Sequence, residues 1–303
     1  MSFLSKNARN DRNDSLSLAL HLASGTLPTV WAPDKETRED RQILRYRVNL
    51  IQELTRLKNR LRALMAEHDL TGSGSDVKAA SDLFMIKLKS RLSWGAQFVL
   101  TNELEQIDLL EARLKTMDEL IRVRAARWTD VGLLMTIRGI NVLTAFTIVV
   151  TIGRIDRFLT ANSLANYSGL VPSQRCSAGK SRNGKITKAG SKMLRWALTE
   201  AVQSLCRMDN PYRNLCKRLE RKNKGKGKAA TACAPKLLTA IWCMLTRGET
   251  FRHAEPKLVE DKVQRREQRL NAARKVVEEK KKRNHEVIMG NWRWFRNWPH
   301  AEF

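Results

Sequence analysis

Between Ser173 and Leu198 the chain reads SQRCSAGKSRNGKITKAGSKMLRWAL, with four serines and seven lysines and arginines in one stretch. A serine hydroxyl is a poor nucleophile at neutral pH unless a base, a metal ion or local positive charge activates it. Cations fixed around a phosphoryl group stabilise the negative charge that builds on its oxygens in the transition state. Arg175, Lys180, Arg182 and Lys185 are of the right type for that work, and Gly179 and Gly184 would let the backbone approach a phosphate closely. Lys188, Lys192 and Arg195 enter the helix that follows and suit a grip on a nucleic-acid backbone. Taken on residue chemistry alone, the stretch reads first as a solvated basic loop that binds nucleic acid without reacting with it.

Two other segments carry the same kind of signal. KRLERKNKGKGK, residues 217–228, reads as a basic loop punctuated by glycine, with Lys224, Lys226 and Lys228 at every second position. Its expected role is to position a backbone, not to read bases. The pentapeptide IRGIN around Gly139 resembles the hairpin of a helix-hairpin-helix motif, in which a tight turn ahead of a helix offers N–H groups to a phosphate. Asn141 stands where that motif has a second glycine, and Asn tolerates left-handed geometry. The alternative is a plain helix–helix turn.

The balance of charge agrees with a polyanionic partner. The chain has 303 residues, and 56 Lys and Arg against 31 Asp and Glu leave a formal net charge of +25. The usual partner of such an excess is DNA or RNA, with a membrane surface the weaker alternative. No stretch of about 18 apolar residues is evident, and the best run, Val142–Ile152, is read as core, so no membrane partner is expected. Five cysteines without a CxxC pair predict neither a disulfide nor a structural zinc site and fit a reducing cytoplasm, where a DNA partner makes the expected location nucleoid-associated.

The elements that must hold these segments are mostly helices. Ser15–Ala23 reads as a short helix stopped by Gly25 and Pro28. Leu44, Val48, Ile51, Leu54, Leu57, Leu61 and Leu64 form one helical stripe, and Leu104, Ile107, Leu110, Leu114, Met117 and Ile121 form another. TGSGS at residues 71–75 joins them flexibly, which suggests either an antiparallel hairpin or coiled coil, or two ordinary bundle helices. SLANYSGLVP predicts a helix ended by Gly169 and then extended chain to Pro172. A helix with Leu194, Leu198, Ala201 and Leu205 inward follows, then a buried helix over 236–248 capped by Gly248. From Pro256 the chain is charged and helical, ending in GNWRWFRNWPH, where tryptophans and arginines alternate as in base-stacking platforms or as aromatics that dock on the body.

These blocks, in this order, resemble the DEDD transposases of bacterial insertion sequences, the IS-one-ten-like recombinases guided by a bridge RNA. The resemblance lies in RNDRNDSLSLALHLASGTLPTVWAP, RVNLIQELTRLKNRLRALMAEHDL, LMTIRGINVLTAFTIVVTIGRIDRF, the serine-rich stretch and APKLLTAIWCMLTRGETF, over roughly residues 6–252. It implies a RuvC-like, RNase H-type domain with four metal-binding acids, a coiled-coil segment, and a second domain whose serine attacks DNA. It also implies Mg2+, an active site shared between subunits of a homo-oligomer, DNA as substrate and an element-encoded guide RNA as partner. Carried across, the third and fourth acids fall on Asp11 and Asp14, and the serine on Ser177, with Ser181 and Ser173 close enough to compete. The spacing of Asp11 and Asp14 would put both on one side of a helix, where their oxygens suit a hard cation.

The first two acids of the pattern have no counterpart, so the chain is expected to carry only a remnant of the RuvC-like domain. The expected architecture is mainly α: a remnant of an α/β RuvC-like domain over 1–32, a helical hairpin or coiled coil over 33–127, a helical serine-bearing transposase domain over 128–255 and a basic helical tail over 256–303. The expected function is DNA transposition or site-specific recombination through a serine nucleophile. The rival readings are a non-catalytic nucleic-acid-binding remnant of a decayed transposase and a structural RNA-binding protein.

Overall fold

The structure, a computed structural model, describes residues 11–27, 30–68, 91–177, 180–207, 210–223 and 225–296. Contacts divide the chain into one unit of residues 1–35 and another of residues 36–303. Helices dominate, and the only strands among the described residues form one two-stranded sheet.

The first unit holds α1, Asp11–Ala23. It begins four residues earlier than apolar content alone predicts. Asp11 and Asp14 sit in its first turn, where carboxylates favour the positive end of the helix dipole. Gly25, at φ +65°, ends it as expected. Leu16, Leu18, Leu20 and Leu22 are all exposed; alternate positions on a helix spread around its circumference and form no single stripe.

In the second unit, α2 (Lys35–Glu67) and α3 (Trp94–Ala125) pair antiparallel. Arg47 meets Asp118 at 2.6 Å, Lys58 meets Glu111 at 3.1 Å and Arg60 meets Glu103 at 3.0 Å, which fixes the opposite chain directions. Leu57, Leu61, Ile107 and Leu110 are buried between them, as the two stripes predict, and Leu50 and Met65 join from outside the predicted stripe. Full burial of each such side chain is worth roughly 1.5–3 kcal/mol. The TGSGS connection lies outside the described residues.

The main core is built on α5, Val142–Ile152, buried at every residue from Thr144 to Ile152. Before it come α4, Thr129–Met135, and a turn; after it a 3-10 turn, Ile155–Arg157, and α6, Ala161–Ser168. Arg41 of α2 donates to the carbonyls of Val150 and Thr151 at 3.0 and 2.9 Å, so a cation sits at the negative end of α5. Strands β1 (Pro172–Ser177) and β2 (Lys180–Ile186) follow, then α7 (Lys192–Cys206), α8 (Pro211–Asn223), α9 (Lys226–Arg247) and α10 (Pro256–Arg296). Leu194, Leu198, Ala201 and Leu205 of α7 are fully buried, as their spacing predicts, and Gly248 caps α9 in left-handed geometry. Helix α10 packs on α3 through a face that buries Ala273 and Val277.

Four expectations change. The serine-rich stretch is a β ribbon, not a loop. Of the described residues in 217–228, those through Asn223 and those from Lys226 are helical, not a loop. Cys206 and Cys216 are bonded to each other, with Cα atoms 5.7 Å apart, because the α7–α8 turn brings the end of one helix against the second turn of the next. Motif spacing cannot reveal such a pair. Finally, α9 is long and apolar enough by length and composition to cross a membrane. Its apolar residues are spent on the protein core instead: Cys233, Ala234, Leu237, Leu238 and Ile241 are fully buried against α6, α7 and α8.

Candidate nucleic-acid interface

The ribbon is anchored at its base by backbone pairing. Gly169 ends α6 at φ +67°, and the chain turns through buried Leu170 into β1. Thr187 N–H donates to Val171 at 2.9 Å and Lys188 N–H donates to Gly169 at 3.1 Å, continuing the pairing below the strands. Arg195 of α7 donates from one guanidinium nitrogen to the carbonyls of Ser168 (2.9 Å) and Gly190 (3.0 Å), clamping both chains. This commits Arg195, a candidate DNA contact, to backbone. Gly190 lies so close to the Tyr167 carbonyl oxygen that a Cβ there would collide with it. Ser191 caps α7 by accepting from Leu194 N–H at 3.2 Å.

Above that base, Ser177 pairs with Lys180, Cys176 with Ser181, Arg175 with Arg182 and Gln174 with Asn183. Directly paired residues of an antiparallel ribbon share a face, and faces alternate along each strand. Ser177, Arg175, Lys180 and Arg182 therefore occupy one face, and Ser181, Cys176, Gln174 and Asn183 the other. Lys185 falls where the register shifts, between the Gln174–Asn183 and Pro172–Ile186 pairs. A two-stranded ribbon is marginal by itself and depends on what it is anchored to. Gly184 has a local reason to be glycine, since a Cβ there would strike the Ser173 hydroxyl; Gly179 lies outside the described residues.

The remaining candidates scatter over two units. Lys188 is exposed and, at φ +54°, is the one non-glycine residue among those described that adopts positive φ. Lys192 is exposed in the first turn of α7, and Lys226 and Lys228 are exposed in the first turn of α9, ends of helices that favour anions over cations. Lys224 lies outside the described residues. Asp11 and Asp14 share one turn of α1 in the first unit, both exposed. Their oxygens suit Mg2+, but an octahedral ion needs further ligands, and among the described residues no group of three or more His, Cys, Asp or Glu converges. The two acids fit only part of a metal site.

The turn around Gly139 has a packing explanation. Gly139 has φ +90°, and a Cβ on it would lie 2.6 Å from the Ser204 Cβ of α7. Asn141 is not left-handed: at φ −99° it caps α5, accepting from Thr144 N–H at 2.8 Å. Lys262 of α10 donates to the carbonyls of Met135 (2.9 Å), Ile137 (2.9 Å) and Ile140 (3.3 Å), and burial beside Arg138 lowers its pKa. Beside this turn lies a cleft of about 440 Å3, walled by α3, the turn and α10. It contains Arg122, Arg265, Arg266 and Arg269, none of which was a sequence candidate. The readable signal was the spacing of Lys262, Arg265, Arg266 and Arg269, a basic stripe at helical period.

Comparison with known proteins decides the family. Residues 131–217 match the Transposase IS116/IS110/IS902 family, and residues 2–68 match the DEDD transposase domain of IS110 elements, together just over half of the chain. The chain belongs to the IS110 family of insertion-sequence transposases. The transposase of insertion sequence element IS1111A from Coxiella burnetii is 27% identical over 252 residues, covering 82% of this chain and 69% of the relative. A putative transposase of Sinorhizobium fredii is 25% identical over 64% of this chain and 47% of its own length. A probable family 20 transposase of Pseudomonas aeruginosa is 24% identical over 82% of this chain and 75% of its own. The chain thus spans between about half and three quarters of these IS110-type relatives. The ribbon, α6 and α7 all fall within the 131–217 match, and α1 falls within the 2–68 match.

Proposed function

We propose that this chain cuts and rejoins insertion-sequence DNA through a covalent serine intermediate, with Ser177 as the nucleophile. The observation that carries the reading is the ribbon register: Ser177 lies opposite Lys180, on the same face as the Arg175–Arg182 pair. The serine oxygen bonds to phosphorus, the bond from phosphorus to one deoxyribose oxygen breaks, and that oxygen leaves with a proton equivalent to the one serine releases. The phosphodiester link to the protein conserves the bond for rejoining by the reverse attack. The three cations on that face stabilise charge on the phosphoryl oxygens. Ser181 takes a register position on the opposite face, with Cys176 and Asn183.

In the same reading, Lys188, Lys192, Lys224, Lys226 and Lys228 hold the DNA backbone, while Asp11 and Asp14 supply part of a Mg2+ ligand set in an oligomer that a guide RNA directs. A RuvC-type remnant, a coiled coil, the serine domain and the basic tail are the corresponding parts. A second reading, a nucleic-acid-binding chain without catalysis, draws on the incomplete acid set. The two separate on incubation with element-end DNA, guide RNA and Mg2+, followed by denaturing electrophoresis for a protein–DNA adduct. The expected result is an adduct in the parent and in Ser181→Ala, and none in Ser177→Ala, which still binds DNA. An adduct that survives Ser177→Ala sinks the assignment; no adduct in the parent favours the non-catalytic reading.

A further inference from the structure

The cleft between α3, the Gly139 turn and α10 is a second charged feature, separate in the fold from the ribbon. Five of its lining residues are cations, Arg122, Lys262, Arg265, Arg266 and Arg269, against one acid, Asp118. Asp118 is already neutralised by Arg47 at 2.6 Å. Arg122 is bonded to Glu119 at 2.8 Å, and Lys262 is consumed by the three carbonyls of the turn. Arg266 lies beside α4, its guanidinium 3.3 Å from where a Cβ on Gly132 would stand. Arg265 and Arg269 are exposed on α10, one turn apart, and no ion pair to either is found among the described residues.

Concentrating like charge in a concave, partly apolar site raises its cost, because field lines are focused there and water screens less. Several arginines outside the cleft, Arg47, Arg60, Arg124 and Arg138, do meet carboxylates. Nothing in the fold requires Arg265 and Arg269 to face the cleft unpaired. The Lys262 clamp fixes the rotation of α10 against the turn, and so holds the whole basic stripe toward the cleft. Guanidinium groups one helical turn apart suit the oxygens of a phosphodiester, which they contact through paired N–H donors.

We infer that this cleft is a binding site for the phosphodiester backbone of a nucleic-acid strand, with Arg265 and Arg269 as its principal contacts and Arg266 and Arg122 as supporting charge. The identity of the anion rests on reading the chain as a DNA-binding transposase; the site itself is independent of the ribbon and of Ser177. Backbone contact here carries no sequence information and would hold the strand in register on the protein.

The test measures the affinity of the full chain for fluorescent duplex DNA, and for duplex RNA of matching sequence, over a salt series. Arg265→Ala with Arg269→Ala is compared with Lys280→Ala with Lys282→Ala, which removes equal charge from exposed positions farther along α10. Both changes lie at exposed residues, and thermal melting checks that the fold is kept. Loss of two phosphate contacts makes the slope of log affinity against log salt shallower by about 1.8 for the cleft variant, at roughly 0.9 per phosphate on B-form DNA, while the control stays near the parent. A loss confined to the RNA arm assigns the cleft to an RNA strand, and a loss confined to the DNA arm assigns it to DNA. Equal changes in the two variants, or none in either, overturn the site. A parent slope near zero with both probes instead overturns the nucleic-acid reading of the whole chain.

Discussion

Among the described residues Asp40 is the one charged residue that is buried, with its side chain fully enclosed. It accepts from Arg124 Nε at 2.5 Å and from Trp128 Nε1 at 2.9 Å, tying the start of α2 to the end of α3. Burial raises its carboxyl above the ordinary 3.8, against the opposing pull of Arg124 and Trp128. The folded chain therefore holds this proton more tightly than the unfolded chain does. The stability tied to Asp40 is greatest below 3.8 and falls as pH rises through the raised value. Arg124→Met leaves the buried carboxylate with a single donor and is expected to cost about 3–5 kcal/mol at neutral pH. That loss should shrink on acidification as Asp40 takes up a proton. Urea unfolding at neutral and acidic pH reads both effects, and a pH-independent loss would point to lost packing instead.

At the scale of elements, the turn between α4 and α5 shows how one glycine can serve two readings. Its position ahead of a helix suits a phosphate, but its fit against Ser204 of α7 is already a sufficient reason for glycine. Gly139→Ala must place a Cβ 2.6 Å from the Ser204 Cβ at φ +90°. Strain of that kind costs about 1–3 kcal/mol. Adding Ser204→Gly removes the collision and leaves only the backbone strain, so part of the melting temperature should return in the double variant. If the single variant melts like the parent and loses only DNA affinity, the phosphate reading of Gly139 stands instead. The ribbon raises the complementary case. Its base is held by Arg195 and by backbone pairing, and its upper part pairs arginine with arginine. The body of the fold therefore fixes the base of the ribbon through α7.

For the molecule as a whole, a net charge of +25 makes electrostatics the first determinant of binding. Affinity for duplex DNA should fall steeply between low and moderate salt, with each neutralised phosphate adding about 0.9 to the negative log–log slope. Lys226 and Lys228 stand exposed at the start of α9, so Lys226→Ala with Lys228→Ala should flatten the slope by up to about 1.8. Filter binding over a salt series measures this, and an unchanged slope would remove the α9 start from the interface. The same substitutions leave the buried face of α9, with Cys233, Ala234 and Leu237, untouched, so the fold should melt as the parent does.

Helices were legible in the sequence because their signal is local. The stripes of α2 and α3, the inward leucines of α7 and the glycine ends of α6 and α9 each follow from residues within a few turns of one another. The charge excess, and the ordered blocks that mark an IS110-type transposase, are likewise properties of the chain read end to end. Tertiary structure alone decided the rest. The 172–186 segment lacks an alternating apolar pattern, so its pairing depends on backbone hydrogen bonds between strands that period-2 reading cannot detect. The Cys206–Cys216 bond depends on how α7 turns into α8. The arginine cleft needs residues 118–143 and 262–270 to meet, brought together by helices that pack across more than a hundred residues of chain. Periodicity reports which face of an element is apolar; which other element covers that face, and which charges are left facing each other, is set by packing in three dimensions.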